Sequence, residues 1–376
     1  MLQEIYEQPQ ALERTLSLYH SGLSLNPEVA ARLADWANTA GEVLIAASGS
    51  SRHSGLYGEI LLEDLCGLVV DVEYASEYSC RGGGAFSVSP YIDVRHPSVI
   101  VLSQSGETSD TLAVLEEAHR QGQKTLAITN HAESTMAIEA DVSMPLAAGV
   151  EKAIPATKSF ACQLAVLYLL ALYEGARLSR RLNGMDSAAL SAHIAEVAAL
   201  PAKLAAQLDA WRGQAAGLAA KYSSAATFLY LGRGVHYAIA REGALKLKES
   251  SYVHAEGYPA GELKHGPNAL VSDRVPLVVL ATVDPELEAS VFRYEKTLQL
   301  LADMKAQGAR VIALANSGDT QVPALAADCI LVPPASEYLL PILEVVPLQL
   351  FAYFMALEHG VDVDRPRNLS KAVVEN

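Results

Sequence analysis

The stretch SVIVLSQSGETSDTLAVLEEAHRQGQKTLAITN, Ser98 to Asn130, decides the fold. Its first five residues are an apolar run of strand length. The run ends in Ser103-Gln104-Ser105-Gly106-Glu107-Thr108-Ser109-Asp110, a helix over 111–121 follows, and a second apolar run fills 124–129. Strand, turn, helix and strand in this order make a βαβ unit of a parallel sheet. The turn places hydroxyl and amide side chains at the carboxyl end of a strand, where a helix begins. Backbone N–H groups and the positive end of the helix dipole make such a place an anion site. Ser and Thr also cap helices with no ligand present. A second turn of the same kind, Ser48 to Ser51, tilts the reading toward a phosphate.

Outward from this unit the alternation continues. A strand at 43–47 precedes Ser48-Gly49-Ser50-Ser51, and a helix is predicted from Ser54 to Cys66. A strand at 69–73 follows, then a Gly/Ser-rich loop over 79–90, a fifth strand at 141–145 and an apolar helix over 157–176. Residues 1 to about 24 read as polar and helical, an arm or packing helix rather than part of a core. Residues 186–222 read as an Ala-rich helical connection interrupted at Pro201. The pattern then restarts, with strands at 227–231, 277–281, 310–315 and 329–332 and helices at 237–253, 287–307 and 345–359. The order of elements matches the first half, which points to an internal duplication. The fold class is α/β, two tandem domains, each a doubly wound, flavodoxin-like parallel sheet flanked by helices. Their expected bounds are an arm 1–25, a first domain 26–185, a connection 186–222, a second domain 223–360 and a tail 361–376. Two such sheets offer ligand sites at the carboxyl ends of their strands.

Composition narrows the classes. The formal charge of −15 argues against a nucleic-acid partner, which needs a basic face. Cys66, Cys80, Cys162 and Cys329 have neither zinc-site nor disulfide spacing, and Cys162 and Cys329 read as buried small hydrophobes. The amino-terminal residues lack a basic-then-apolar leader, and the longest apolar run, Leu164 to Tyr173, is too short to span a bilayer. The expectation is a soluble cytoplasmic protein without a membrane partner. No GxxxxGK[ST] occurs, and Gly232-Arg233-Gly234 has Tyr237 where a dinucleotide fingerprint needs its third glycine. His254, Glu256, Glu262 and His265 match no metal-helix spacing. No cofactor and no metal are expected.

The second chemical stretch is EGALKLKESSYVHAEGYPAGELKHGP, Glu242 to Pro267. A helix runs into a Gly/Pro-punctuated loop. Lys246 and Glu249, three apart, share a face, and His265 follows on the loop. A carboxylate, a lysine and a histidine so arranged suit general acid–base work on a small substrate. A solvated helix carrying a Glu242–Lys246 ion pair explains the same spacing. Lys371, on a short polar tail, is by itself a solvated lysine on a segment that frays.

Together these stretches carry a resemblance. The motifs are DVEYASEY at Asp71, SQSGETSDTL at Ser103, ATKSF at Ala156, LGRG at Leu231, the stretch at Glu242 and DVDRPRNLSKAV at Asp362. With them the chain resembles the sugar isomerase (SIS) family, in particular the isomerase part of the glutamine–fructose-6-phosphate aminotransferases, without their glutaminase domain. The resemblance implies two SIS domains paired as a homodimer. It implies that Ser51, Ser103, Gln104, Ser105 and Thr108 bind a sugar 6-phosphate, and that Ser50, Ile154, Ala156 and Ser370 line the sugar. It implies that Glu249 moves a proton between C1 and C2, and that Lys246 steadies the negative charge of the intermediate. His265, supplied across the dimer interface, would open the ring, and Lys371 would form a Schiff base with the keto sugar. Ala156 stands where the family usually has Ser, and Ser370 where it has Ala. Lys152, Ile154 and Pro155 replace smaller residues, and the Gly82–Pro90 loop is longer than its counterpart.

The functional expectation is an amino-sugar phosphate isomerase–deaminase, interconverting glucosamine 6-phosphate with fructose 6-phosphate and ammonia. A fructosamine-6-phosphate deglycase and a non-catalytic sugar-phosphate-binding module are the alternatives.

Overall fold

The computed structural model describes residues 1–36, 42–81, 97–182 and 186–371. The Gly82–Pro90 loop therefore lies outside the described residues. Chain order begins α1 (Leu2–Tyr6), α2 (Gln8–Ser17), a hairpin of β1 (His20–Ser21) and β2 (Ser24–Leu25), α3 (Pro27–Trp36), β3 (Glu42–Ala47) and α4 (Gly49–Cys66). It continues β4 (Val69–Tyr74), α5 (Ala75–Cys80), β5 (Ser98–Ser103), α6 (Ser109–Arg120), β6 (Thr125–Thr129), α7 (Thr135–Glu139), β7 (Val142–Pro145) and α8 (Lys158–Leu182). Then come α9 (Ser187–Ala205), α10 (Leu208–Tyr222), β8 (Thr227–Gly232), α11 (Val235–Ser251), β9 (His254–Pro259) and β10 (Leu277–Leu280). The last elements are α12 (Glu288–Ala306), β11 (Val311–Asn316), α13 (Gln321–Leu325), β12 (Asp328–Val332) and α14 (Leu340–Glu358).

Two compact units result. The first holds Gln10–Glu151, Lys158–Ala199 and the chain from Ser370 onward. Its sheet has the order β4-β3-β5-β6-β7, with every pair parallel. All six residues of β5 are buried, because helices cover both faces of a parallel sheet; this is why Ser98 to Leu102 is apolar without alternation. Leu44, Ala46, Val99, Val101, Val114, Leu115 and Ala127 form one core cluster.

The second unit holds Met1–Pro9, Lys152–Thr157 and Leu200–Leu369. Its sheet runs β9-β8-β10-β11-β12, again all parallel. Counted along the chain, both sheets have the order second, first, third, fourth, fifth, so the duplication read from element order is a duplication of topology. In such a sheet the chain leaves in opposite directions from the first and third strands, and the crevice at their carboxyl ends is where ligands bind. These strands are β3 and β5 in one unit and β8 and β10 in the other.

Several expectations change. Of the arm and the packing helix read for the first 24 residues, the packing helix is seen, and it contributes to a core: Ile5, Ala11, Leu12, Leu16 and Tyr19 are buried, the apolar stripe of short amphipathic helices. Helix α4 begins at Gly49 rather than Ser54, so Ser50 and Ser51 lie in its first turn. Residues His254–Pro259 are a strand and not a loop, paired with β8 from Thr227↔His254 to Gly232↔Pro259. Pro201 lies within α9, which ends only at Ala205. Cys162 is buried as expected, whereas Cys329 is only partly so. The apolar run Leu164–Tyr173 belongs to a helix that, like α14, is long and apolar enough to cross a membrane. The apolar windows of the two helices are 94% and 83% buried, which makes both core helices.

Candidate active site

In the first unit the switch point carries the two hydroxyl-rich turns. Ser103 Oγ lies 3.1 Å from Thr108 Oγ1 and 3.4 Å from Ser105 Oγ. Gly106 N–H donates to Ser103 Oγ at 3.1 Å, and Glu107 N–H donates to Ser105 Oγ at 3.2 Å. Thr108 is the N-cap residue of α6, yet its side chain makes no capping bond, and neither does Ser48 ahead of α4. Ser134 is the contrast: its side chain accepts from Ala137 N–H as an ordinary cap does. The capping explanation of these hydroxyls therefore does not hold at the switch point. Gln104 anchors the turn through its backbone, its C=O accepting from Asn130 N–H at 3.2 Å. Glu107 pins the far side, accepting Thr135 N–H at 2.8 Å.

Gly106 has to be glycine. Its φ is +71°, and a Cβ there would lie 2.1 Å from Ser134 Oγ and 2.9 Å from Thr129 Oγ1. Gly106→Ala is expected to lower stability by about 2 kcal/mol or more, from left-handed backbone strain and overpacking. It is also expected to abolish the sugar-phosphate-induced rise in melting temperature. Denaturant melts and thermal shift check both.

Ser51 completes the first unit's donors, and it has an orienting partner that sequence reasoning missed. Gln163 Nε2 donates to Ser51 Oγ at 2.9 Å, while Gln163 Oε1 accepts from Ser54 Oγ at 3.0 Å. With its lone pair engaged, the Ser51 hydroxyl hydrogen can point to a ligand. A glutamine among Ala161, Cys162 and Leu164 on a buried helix was the available signal. Ser50 is half-buried in the same first turn of α4.

The tail does not fray within the described residues. Ile154 N–H donates to Asp364 C=O at 3.2 Å, Arg367 N–H donates to Tyr252 Oη at 2.7 Å, and the Arg367 guanidinium lies 4.2 Å from the Tyr252 ring centroid. Lys371 Nζ donates to Glu151 Oε2 at 2.7 Å. Ser370 is exposed, and Ile154 and Ala156 are half-buried.

In the second unit, α11 places Glu242, Lys246 and Glu249 in one row. Lys246 is 1% exposed, with Nζ 2.6 Å from Glu249 Oε2 and 3.4 Å from Glu242 Oε1. Glu242 is fully buried and Glu249 is 21% exposed. This is not the solvated ion pair of an exposed helix. Burial alone draws the Lys246 pKa down, but the two carboxylates more than reverse it, so the ammonium is held above its ordinary value. Glu249 is the member of the row with access to a substrate. His265 ends the short 3-10 turn Ala260–His265, exposed, and forms no hydrogen bond or ion pair among the described residues. Of the residues considered for a metal, His254 lies 3.8 Å from Glu256 and bonds Thr227.

The second sheet's own switch point is closed by charge. His236, at the start of α11, faces Glu344 with Nδ1 at 2.9 Å and Glu337 with Nε2 at 3.3 Å. Glu337 also accepts from Ser290 and from Arg293 Nε, the latter at 2.8 Å, and Glu344 accepts from Thr282 at the end of β10. Buried paired charges thus fill this switch point, where the first unit has its hydroxyl-rich turns. The glycines read as part of a dinucleotide fingerprint have a packing reason here. A Cβ on Gly232 would lie 2.3 Å from His236 O, so only glycine lets α11 start so close to the strand. A cavity of about 500 Å³ in the first unit, bordered by Leu25, Tyr173, Glu174, Arg177 and Leu190, holds none of the expected residues; its walls are largely apolar.

With this geometry in hand, the relatives can be stated. The chain is 42% identical over 384 residues to glutamine–fructose-6-phosphate aminotransferase (isomerizing) of Thermus thermophilus, an alignment spanning 99% of this chain and 58% of that relative. The chain thus spans little more than half the length of such relatives. The solved C-terminal domain of glucosamine-fructose-6-phosphate aminotransferase from Francisella tularensis is 29% identical, with a TM-score of 0.85 over 97% of each chain. Glucosamine-6-phosphate deaminase from Thermotoga maritima shares the fold, at 22% identity and a TM-score of 0.69 over 99% of this chain and 98% of that one. The family model described as the SIS domain matches residues 38–173 and 221–359, one match for each five-stranded sheet, and the chain belongs to the SIS domain family.

Proposed function

We propose that the chain is a sugar-phosphate isomerase that interconverts glucosamine 6-phosphate with fructose 6-phosphate and ammonia. The observation that carries this reading is the row on α11, a partly exposed carboxylate, Glu249, touching a buried lysine that two carboxylates hold protonated. A proton shift between adjacent carbons needs this pair. On the open-chain aldehyde, Glu249 takes the proton from C2, and the electrons pass toward the C1 oxygen, whose negative charge the Lys246 ammonium stabilises. Glu249 returns the proton to C1, and a proton passes from the nitrogen to the C1 oxygen, leaving a hydroxyl at C1 and an imine at C2. Exchange with Lys371 releases ammonia, and water then frees the ketone. The hydroxyls of Ser51, Ser103, Ser105 and Thr108, with Gln104, hold the 6-phosphate, whose binding energy orients the reacting carbons. Ser50, Ile154, Ala156 and Ser370 face the sugar. His265 serves ring opening in a second copy of the chain within a homodimer; its exposed, unpartnered side chain supports that role.

The test is ammonia release from glucosamine 6-phosphate, with coupled detection of fructose 6-phosphate. Release with matching fructose 6-phosphate is expected. Binding by thermal shift without release overturns the reading. Turnover of a fructosamine 6-phosphate would then make the chain a deglycase, and binding without turnover of any such sugar a regulatory module.

A further inference from the structure

Glu151 is a fully buried carboxylate, and nothing in the proton shift on α11 uses it. Ser159, in the first turn of α8, donates to it twice, from N–H to Oε1 at 3.2 Å and from Oγ to Oε2 at 2.7 Å. Lys371 Nζ also donates to Oε2, at 2.7 Å. The Lys371 side chain is 27% exposed, while that of Glu151 is fully buried. The carboxylate is thus held by Ser159 and meets a lysine 220 residues away in sequence.

We propose that Glu151 is the acid–base and positioning partner of Lys371 in imine formation. This rests on the reading that Lys371 forms the Schiff base. An ammonium has no lone pair, so Lys371 must first lose a proton. Glu151 takes it, becoming the neutral acid. The freed amine attacks the C2 carbonyl carbon of the open-chain ketose. The N–C bond forms, the carbonyl π electrons move to oxygen, and a proton passes from nitrogen to that oxygen to give a carbinolamine. Glu151 returns its proton to the hydroxyl, which leaves as water while the nitrogen lone pair closes the C=N bond. Ammonium and ketone have become iminium and water, and Glu151 is again a carboxylate facing a cation. Other titratable or charged groups near Glu151 within the unit are Arg14 from α2 and Lys158 and Cys162 on α8. The Cys162 thiol, pushed up to about 12 by burial first and by the Glu151 charge after it, takes no part.

The experiment is borohydride trapping of the purified full chain with fructose 6-phosphate, read by intact mass and by mapping the reduced adduct to Lys371 across a pH series. For the unaltered chain, trapping at neutral pH is expected. In Glu151→Gln the neutral-pH rate should fall about 100-fold and recover as the pH rises toward that of free lysine, because hydroxide replaces the missing carboxylate. Glu151→Asp should restore part of the neutral-pH rate. Ser159→Ala, which removes one hydrogen bond to the carboxylate, provides a second test should Glu151→Gln fold poorly; its trapping profile should shift in pH. Lys371 trapping in Glu151→Gln with the rate and pH profile of the unaltered chain overturns the role of Glu151 alone, as does an unshifted Ser159→Ala profile. Ammonia release without any adduct on Lys371 overturns the Schiff-base reading itself, and Glu151 with it.

Discussion

Glu249→Gln is expected to lower C1–C2 proton transfer about 1000-fold while leaving sugar-phosphate binding nearly intact. The amide is isosteric but has no basic lone pair to receive a carbon-bound proton. The proposed phosphate donors Ser51, Ser103, Ser105 and Thr108 belong to other segments and are untouched by the change. Lys246 keeps Glu242 as a partner at 3.4 Å, so the helix retains a compensated ammonium and should fold. The loss should therefore appear in kcat and hardly in KM, the pattern of an interaction made in the transition state. Exchange of the C2 hydrogen of glucosamine 6-phosphate in heavy water measures the step directly, without waiting for ammonia. A variant that retains more than about a tenth of the exchange rate removes Glu249 from the role of base.

His236→Ala is expected to lower the stability of the second unit by about 3–5 kcal/mol. The imidazole is buried and both its nitrogens face carboxylates, so both donate and the ring is charged. Alanine would leave Glu344 with Thr282 and Glu337 with Ser290 and Arg293, two buried carboxylates with one cation between them. Burial alone would lower the His236 pKa, but Glu344 and then Glu337 outweigh it and lift the group to about 10. A raised folded-state value stabilises fully below the ordinary imidazole value of 6.5, and this contribution disappears as pH climbs through about 10. Glu337 has the opposite sign: burial pushes it up, the His236 charge and bond pull it further down, and it settles at about 2. Its contribution is complete above the usual 4.5 and is lost as pH falls through about 2. Urea melts between pH 6 and 10 should show the unaltered chain losing stability toward the alkaline end and the variant staying flat. Parallel curves would mean that the cluster is not ionised as its geometry requires.

How far the sequence could be read depended on the distance over which each feature is encoded. Both parallel sheets were legible because a strand covered on two faces must be continuously apolar, as Ser98 to Leu102 and Thr227 to Leu231 are. Strand β9 was not legible, because His254-Ala255-Glu256-Gly257-Tyr258-Pro259 is an edge strand whose polar composition reads as a loop. Hydroxyls crowded into Ser103 to Thr108 announced an anion site, and three-residue spacing put Lys246 beside Glu249 on any helix. Whether that helix face was solvated or buried could not be read from spacing, since burial is decided by what packs on it.

The sequence by itself determined the duplicated α/β fold, the hydroxyl-rich turns and the Lys246–Glu249 pairing, because each is written in residues a few positions apart. Tertiary structure alone decided which of the two equivalent switch points is filled by the buried cluster of His236, Glu337 and Glu344. It also decided that Gln163 orients Ser51 and that Glu151 faces Lys371. These are contacts between residues separated by about a hundred positions or more, and only the folded chain brings such groups within hydrogen-bond distance.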